Sequence, residues 1–219
     1  MVGSSKIASI EYSIYNLETR RKNQMKKILL LGISALMLVG CGGSSKVTEI
    51  TKEKYAEKLE KLPKEIDYEG SYKNATATYV RKDNDGEETG TIKFVYNAKT
   101  KEYEFGLDEI DEYRYMIQAY VGETAKEWFD WFNDPDIEEI YPGLELKFYS
   151  DLTLVDSTVE EWEDDETGDK GKDTEVETFK YNSDGILVKY EDNYVSEYVE
   201  DGTSYTETGS VVYEFTYSK

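Results

Sequence analysis

Histidine is absent from the 219-residue chain. Its absence removes Ser-His and Cys-His catalysis, imidazole metal sites and the commonest general base together. One cysteine, Cys41, is too little for an internal disulfide or a thiolate metal centre. Positive charge is scarce as well: 26 Lys and Arg stand against 47 Asp and Glu, a formal net charge of −21 at pH 7. Such a field repels phosphates, so nucleic acid is excluded as a partner. No Gly-rich phosphate loop of Walker or Rossmann form is present, and nothing calls for a cofactor or a metal. A long apolar run is missing too. Ile28 to Val39 is apolar-rich but only 12 residues long, whereas a membrane-spanning helix takes about 20.

What that short run has is its setting. Met25-Lys26-Lys27 precedes it and Gly40-Cys41 follows it; a basic start, a short apolar core and a small residue at the cut define a secretory signal peptide. Leu38-Val39-Gly40-Cys41 resembles the lipobox of bacterial lipoproteins. The resemblance implies cleavage between Gly40 and Cys41 and a diacylglycerol thioether on the Cys41 thiol, with acylation of the new amino group as a further step. It places the protein at the outer face of the cytoplasmic membrane, the cell surface, or on an outer membrane if the source has one. Gly42-Gly43-Ser44-Ser45 then reads as a flexible tether. Two acyl chains hold a protein stably on a bilayer, since each buried methylene contributes about 0.8 kcal/mol.

Residues 1–24 do not fit a signal peptide, which begins close to its basic region. Met25 is the expected start, and Arg20-Arg21-Lys22 is what a ribosome-binding site of the AGG-AGG-AAA kind would spell if translated. The alternative is an amphipathic segment, with Ile7, Ile10, Ile14 and Leu17 at helical spacing. The organisation is therefore 1–24 a mis-assigned upstream start, 25–40 the signal peptide, 41–49 the lipidated tether and 50–219 a single acidic domain. The first 40 residues hold six basic and two acidic residues, so the 179 that follow carry −25.

Those 179 residues keep all three Trp, all seven Phe and 18 of the 20 Tyr. Disordered acidic chains are poor in aromatics, so the body folds around an aromatic-rich core. Tyr55, Leu59 and Leu62 predict a helix over Thr51–Leu62, stopped by Pro63. The period then changes to two over Ser71–Arg81, Thr91–Asn97 and Glu102–Leu107. Residues 108–133 return to helical spacing: Ile110, Tyr113, Ile117, Tyr120 and Val121 form one face, Ala125, Trp128, Phe129 and Phe132 a second, Gly122 separates them and Pro135 closes the region. Strands follow over Leu144–Val159, Thr174–Tyr181, Ile186–Val199 and Thr203–Tyr217, joined by an acidic loop and by two Asp-Gly turns. The last strand alternates, with Tyr205, Val211, Tyr213, Phe215 and Tyr217 on one side, so the sheet is buried on one face and wet on the other. The fold class is α+β: a curved antiparallel β-sheet, a half-barrel-like meander, packed on a few helices. In element order and lipid anchoring over residues 50–219 it is similar to the LolA/LppX-type lipoprotein carriers, which hold acyl chains between sheet and helices. That resemblance carries no ligand residues across.

Candidate chemistry is sparse. Asp83-Asn84-Asp85-Gly86 lacks an EF-hand frame, because Arg81 and Ile92 stand where oxygen ligands belong, so it is a hairpin turn. Glu160 to Asp173 is an acidic run expected to be a solvated loop with no more than diffuse divalent binding. Paired carboxylates could make a glycosidase, but spacing carries no diagnosis in so acidic a chain; the expectation is not an enzyme. Tyr190, Tyr194 and Tyr198 share a strand face, where they line a carbohydrate or peptide groove or else form a core or surface ladder. Trp128, Phe129, Trp131 and Phe132 are the candidate ligand-binding residues; packed into the core instead, they would fill the cavity a carrier needs. The expected function is a monomeric, membrane-anchored, non-catalytic binding domain for a lipid or small hydrophobic molecule. The alternative is a structural or adhesive domain for a cationic or cell-envelope partner.

Overall fold

The two-residue period becomes long paired strands. The computed structural model describes residues 47–84, 86–106, 113–141, 143–163, 168–200 and 202–219. The strands are β1 (Glu49–Ile50), β2 (Asn74–Asp83), β3 (Gly86–Asn97), β4 (Glu102–Phe105), β5 (Glu145–Tyr149), β6 (Leu154–Glu163), β7 (Lys170–Tyr181), β8 (Leu187–Glu200) and β9 (Thr203–Ser218). The helices are α1 (Lys52–Leu59), α2 (Arg114–Gln118), α3 (Ala125–Phe132) and α4 (Pro135–Ile140). The protein is mostly antiparallel sheet with few helices, the coarse architecture its periodicity implies.

The strands join one open sheet in the order β1-β5-β6-β7-β8-β9-β2-β3-β4. Two meanders, β5 to β9 and β2 to β4, meet where β9 pairs antiparallel with β2 and Ala77 lies opposite Phe215. Because side chains alternate across a strand, the register fixes two faces. One face carries the row Leu154, Phe179, Tyr190, Tyr213 and Tyr79, all under 6% exposed. The helices lie on it. Tyr55 of α1 meets Phe148 at 4.9 Å between ring centroids, and Trp128 of α3 meets Phe179 at 4.6 Å. Burying such rings is worth about 1.5–3 kcal/mol each in transfer alone, which is why short helices persist here.

The helices are set by local chemistry. Thr124 and Glu127 form a capping box at the start of α3, satisfying two backbone donors reciprocally. Gly122, at φ +80°, breaks the chain between α2 and α3, and a Cβ there would strike the Tyr103 ring. Its N–H donates to the Tyr217 hydroxyl at 3.1 Å and its carbonyl accepts from Tyr68 at 3.0 Å.

Four expectations are corrected. The first helix ends at Leu59, short of Leu62. Pro135 does not close the helical region; it opens α4 at its first position, where a proline needs no N–H partner and Asp134 caps the turn. Leu144–Val159 is not one strand, because Leu152 at φ +68° makes a turn between β5 and β6 and the Tyr149 N–H donates to the Thr153 carbonyl at 2.9 Å. The acidic run is mostly strand: β6 continues to Glu163 and β7 resumes at Lys170, with Glu160 opposite Asp173 and Glu161 opposite Lys172. Leu107, Ile110 and Asp85, named in the reading above, lie outside the described residues, as do 164–167 of the acidic run and the Asp of the second Asp-Gly turn.

Candidate functional site

Cys41 and Gly40 lie outside the described residues. The chain enters the sheet at its β5 edge: the Thr48 N–H donates to Ser150 Oγ at 3.0 Å, and Ile50 lies opposite Phe148.

The four candidate ligand-binding residues come together on and around α3. Phe132 is buried against Phe179 (5.9 Å), and Phe129 touches Tyr55 at 5.7 Å and Phe148 at 5.8 Å. Trp128 lies nearly parallel to Tyr120 at 6.0 Å, and Trp131 meets Trp128 edge-on at 5.5 Å and Tyr141 at 6.1 Å. These separations are those of rings in direct contact, so the residues pack the space between helix and sheet. Two concavities lie elsewhere. One, of about 510 Å³, opens beside the β3–β4 hairpin against Val95, Tyr96, Lys99, Glu104 and Phe105. Another, of about 210 Å³, sits at Arg81, Asp83 and Glu88.

Next to the aromatic row the same face carries carboxylates. Asp156 of β6, Glu177 of β7 and Asp192 of β8 lie directly opposite one another across three strands. Asp156 is 3% exposed. Burial, then the charge and hydrogen bond of Glu177, push its carboxyl well above the ordinary range. Burial also raises Glu177, while hydrogen bonds involving Tyr190 and Asp156 pull it back. Like charges this close in a low dielectric resist ionising together, which favours one proton shared by the pair. The Tyr190 hydroxyl donates to Glu177, and Tyr120 stacks on the Tyr190 ring at 4.3 Å, which seals this side. Chemically the arrangement is a pair of buried carboxyls that resist ionisation under aromatic cover. Arg81, in the same row beyond Val211, is engaged with Tyr113 at 2.6 Å and Asp83 at 3.2 Å.

Farther out the face changes character. β7 runs on from Phe179 to Lys170, about 30 Å of strand. Here Trp162, Gly171, Tyr198 and Tyr205 form one row. The Tyr198 ring sits between Trp162 (6.4 Å) and Tyr205 (5.1 Å, stacked). Trp162 leans over Gly171, where a Cβ would come within 2.5 Å of the indole. The next row inward is Glu160, Asp173, Ser196 and Glu207. Trp162 Nε1 donates to Asp173 at 3.1 Å and the Tyr198 hydroxyl to Glu207 at 3.4 Å. Of the three tyrosines expected on one strand face, Tyr190 lies in the core row, Tyr194 packs over Gly209, and Tyr198 joins the outer stack. Sequence reasoning placed Tyr205 on the inward face of the last strand and Asp173 in the acidic run, but did not single out Trp162 or Glu207. The signal for Trp162 was present in the alternation of Trp162 and Glu160 with Glu161 and Glu163, hidden by the density of charge.

No family model, curated protein or solved structure matches this chain.

Proposed function

We propose that the chain is an exported bacterial lipoprotein, cut before Cys41, held by acyl chains on that cysteine at the outer face of the cytoplasmic membrane or on an outer membrane. Its body is a monomeric, non-catalytic domain that binds a cell-envelope or cationic partner from outside. The anchor is supported by Leu38-Val39-Gly40-Cys41 behind a basic start and a short apolar core. The mode of binding is supported by one observation. Trp128, Phe129, Trp131 and Phe132 pack with their own rings the layer in which a LolA/LppX-type carrier would keep an acyl chain. In this reading the half-barrel curvature of the sheet serves to wrap the helices, and the strand ends beyond them meet the partner.

A second reading is carriage of a lipid or small hydrophobic molecule, which takes a pocket of about 300 Å³ or more. The depression of about 510 Å³ by Val95 and Phe105 is the feature that favours it. Carboxylate-based hydrolysis is the weakest reading, because Asp156 of the proton-sharing pair is 3% exposed and out of reach of a glycosidic oxygen.

Growth with a radioactive fatty acid tests the anchor: label is expected on the wild-type chain and absent from Cys41→Ala. Label that survives Cys41→Ala overturns it. Mass spectrometry of the purified protein separates the two binding readings, since a co-purifying lipid supports carriage and contradicts binding from outside.

A further inference from the structure

The register divides the sheet into two ends of unlike charge. The row Leu154, Phe179, Tyr190, Tyr213, Tyr79 and Gly90 crosses six strands. One end holds the β3–β4, β5–β6 and β7–β8 turns and the segment that leads into β2, that is 47–78, 91–105, 149–153, 180–189 and 214–219. It carries twelve Lys against twelve Asp and Glu. The other end holds the described parts of the β2–β3, β6–β7 and β8–β9 turns, that is 80–84, 86–89, 155–163, 168–178, 191–200 and 202–212. It carries four Lys and Arg against sixteen Asp and Glu. Strand alternation sorts residues between faces, not between ends, so it does not account for this.

The chain enters the sheet at the balanced end. In the β5–β6 turn the Ser150 N–H donates to the Thr48 carbonyl at 2.9 Å, the reciprocal of the Thr48 bond to Ser150 Oγ. Helix α1 then crosses this end. The Tyr55 hydroxyl donates to the Leu152 carbonyl at 2.8 Å, and Leu62 packs on Gly185 of the β7–β8 turn. The last turn is prolonged by the Lys61 N–H, which donates to the Lys58 carbonyl at 3.1 Å. Helical pitch puts Tyr55 and Leu59 on the buried stripe, Lys54, Lys58 and Lys61 on one flank of it, and Glu53, Glu57 and Glu60 on the stripe beyond. None of these three lysines has an ion pair among the described residues.

We infer that this end, led by the lysine flank of α1, rests on the anionic headgroups of the bilayer that carries the anchor, with the acidic end turned away from it. The inference rests on the lipoprotein reading: Cys41 stands six residues before Val47 in the chain, so an anchor there is joined to the body at the balanced end. An anionic surface repels so acidic a chain as a whole, but acyl chains hold it in place. The surface field then acts as a torque. It attracts the unpaired lysines and repels the end with sixteen carboxylates, and it decays within about 8–10 Å. Strands β8 and β9, of 14 and 16 residues, set the two ends about 45 Å apart, so only one end at a time lies within that field. The acidic end is thereby presented to a partner from outside.

The test uses the protein extracted from membranes and reconstituted in vesicles of phosphatidylcholine, alone or with about one-quarter phosphatidylglycerol, both holding a trace of lipid with a quencher on its headgroup. With Cys41 acylated, Glu57→Cys on α1 and Thr203→Cys at the acidic end each take a single dye. Quenching of the Glu57→Cys dye is expected to rise about two-fold with the anionic lipid and to fall back at about 1 M salt, while the Thr203→Cys dye is unaffected. Lys54→Gln with Lys61→Gln, both exposed, is expected to abolish the rise with an unchanged circular dichroism spectrum. Lys82→Gln with Lys172→Gln removes the same charge from the other end and is expected to leave it. No rise with anionic lipid, meaning that the tether alone sets the distance, would overturn the inference. So would equal effects of the two double variants, or quenching of the Thr203→Cys dye. A rise abolished by soluble polyphosphate at the same phosphate concentration would assign the lysines to an anionic polymer and overturn it too. Intact-mass spectrometry of the same sample keeps the failures apart: an unmodified Cys41 sinks the lipoprotein reading and this orientation with it, whereas an acylated chain whose quenching ignores lipid charge sinks the orientation alone.

Discussion

Replacing Asp156 by Asn is expected to stabilise the protein at neutral pH. Asp156 and Glu177 face each other on neighbouring strands, the first 3% exposed, both with carboxyl pKa values raised by burial. A carboxyl whose folded pKa is raised binds its proton more tightly folded than unfolded. Its contribution is therefore most favourable at low pH and is lost as pH climbs from the unfolded value, about 3.9 for Asp, through the folded one. Holding one proton at pH 7 against an unfolded group of pKa about 3.9 costs at most about 3.1 units, or about 4 kcal/mol at 1.36 kcal/mol per unit. If the pair releases the proton below pH 7, the cost becomes that of two adjacent buried charges and is smaller than this bound. Asn keeps the shape, donates through Nδ2 to Glu177 and carries no proton to lose. Asp156→Asn should gain about 1–3 kcal/mol at pH 7.5 and nearly nothing at pH 4. Urea unfolding of both proteins at pH 4, 5.5 and 7.5 reads the difference, which also cancels the general repulsion of so acidic a chain. A constant difference across that range, or a loss that grows with pH, would refute the shared proton.

Three further outcomes follow from the packing and a fourth from the lipobox. Trp128→Ala, which removes the ring between Tyr120 and Phe179, should cost about 3–5 kcal/mol in urea unfolding. Thr124→Ala breaks the capping box of α3 and should cost about 1 kcal/mol, with Thr124→Ser restoring most of it. Gly171→Val sets a side chain against the Trp162 indole and, at 2.6 Å, the Glu197 carbonyl. It should cost about 1–3 kcal/mol and shift the Trp162 fluorescence. Cys41→Ala should move the protein from the membrane to the soluble fraction of a cell extract.

The legible parts of the sequence were those where one side of an element decides its fate. β9 alternates Tyr213, Phe215 and Tyr217 with Glu214 and Thr216, and the structure buries Tyr213 and Phe215 in the core and packs the half-buried Tyr217 against it. The 125, 128, 129, 132 spacing marks α3 for the same reason. The break at Leu152 was invisible because neither glycine nor proline makes it; the turn is held by the pairing of β5 with β6, a tertiary cause. Pro135 was misread because the same ring that ends one helix starts the next when an Asp caps it. Glu160 and Asp173 read as loop by composition, since charge density masks alternation. Only the β6–β7 register shows that one face takes Glu160 and Asp173 while the other pairs Glu161 with Lys172. The meeting of Asp156 with Glu177 depends on that same register and has no local signal.

Intact-mass spectrometry of the protein extracted from membranes tests the central claim most directly. The account predicts a chain beginning at Cys41, lighter than the 25.3 kDa of the full sequence, and carrying a diacylglycerol thioether on that residue. A species retaining residues 1–40 or 25–40, with an unmodified Cys41, would contradict it.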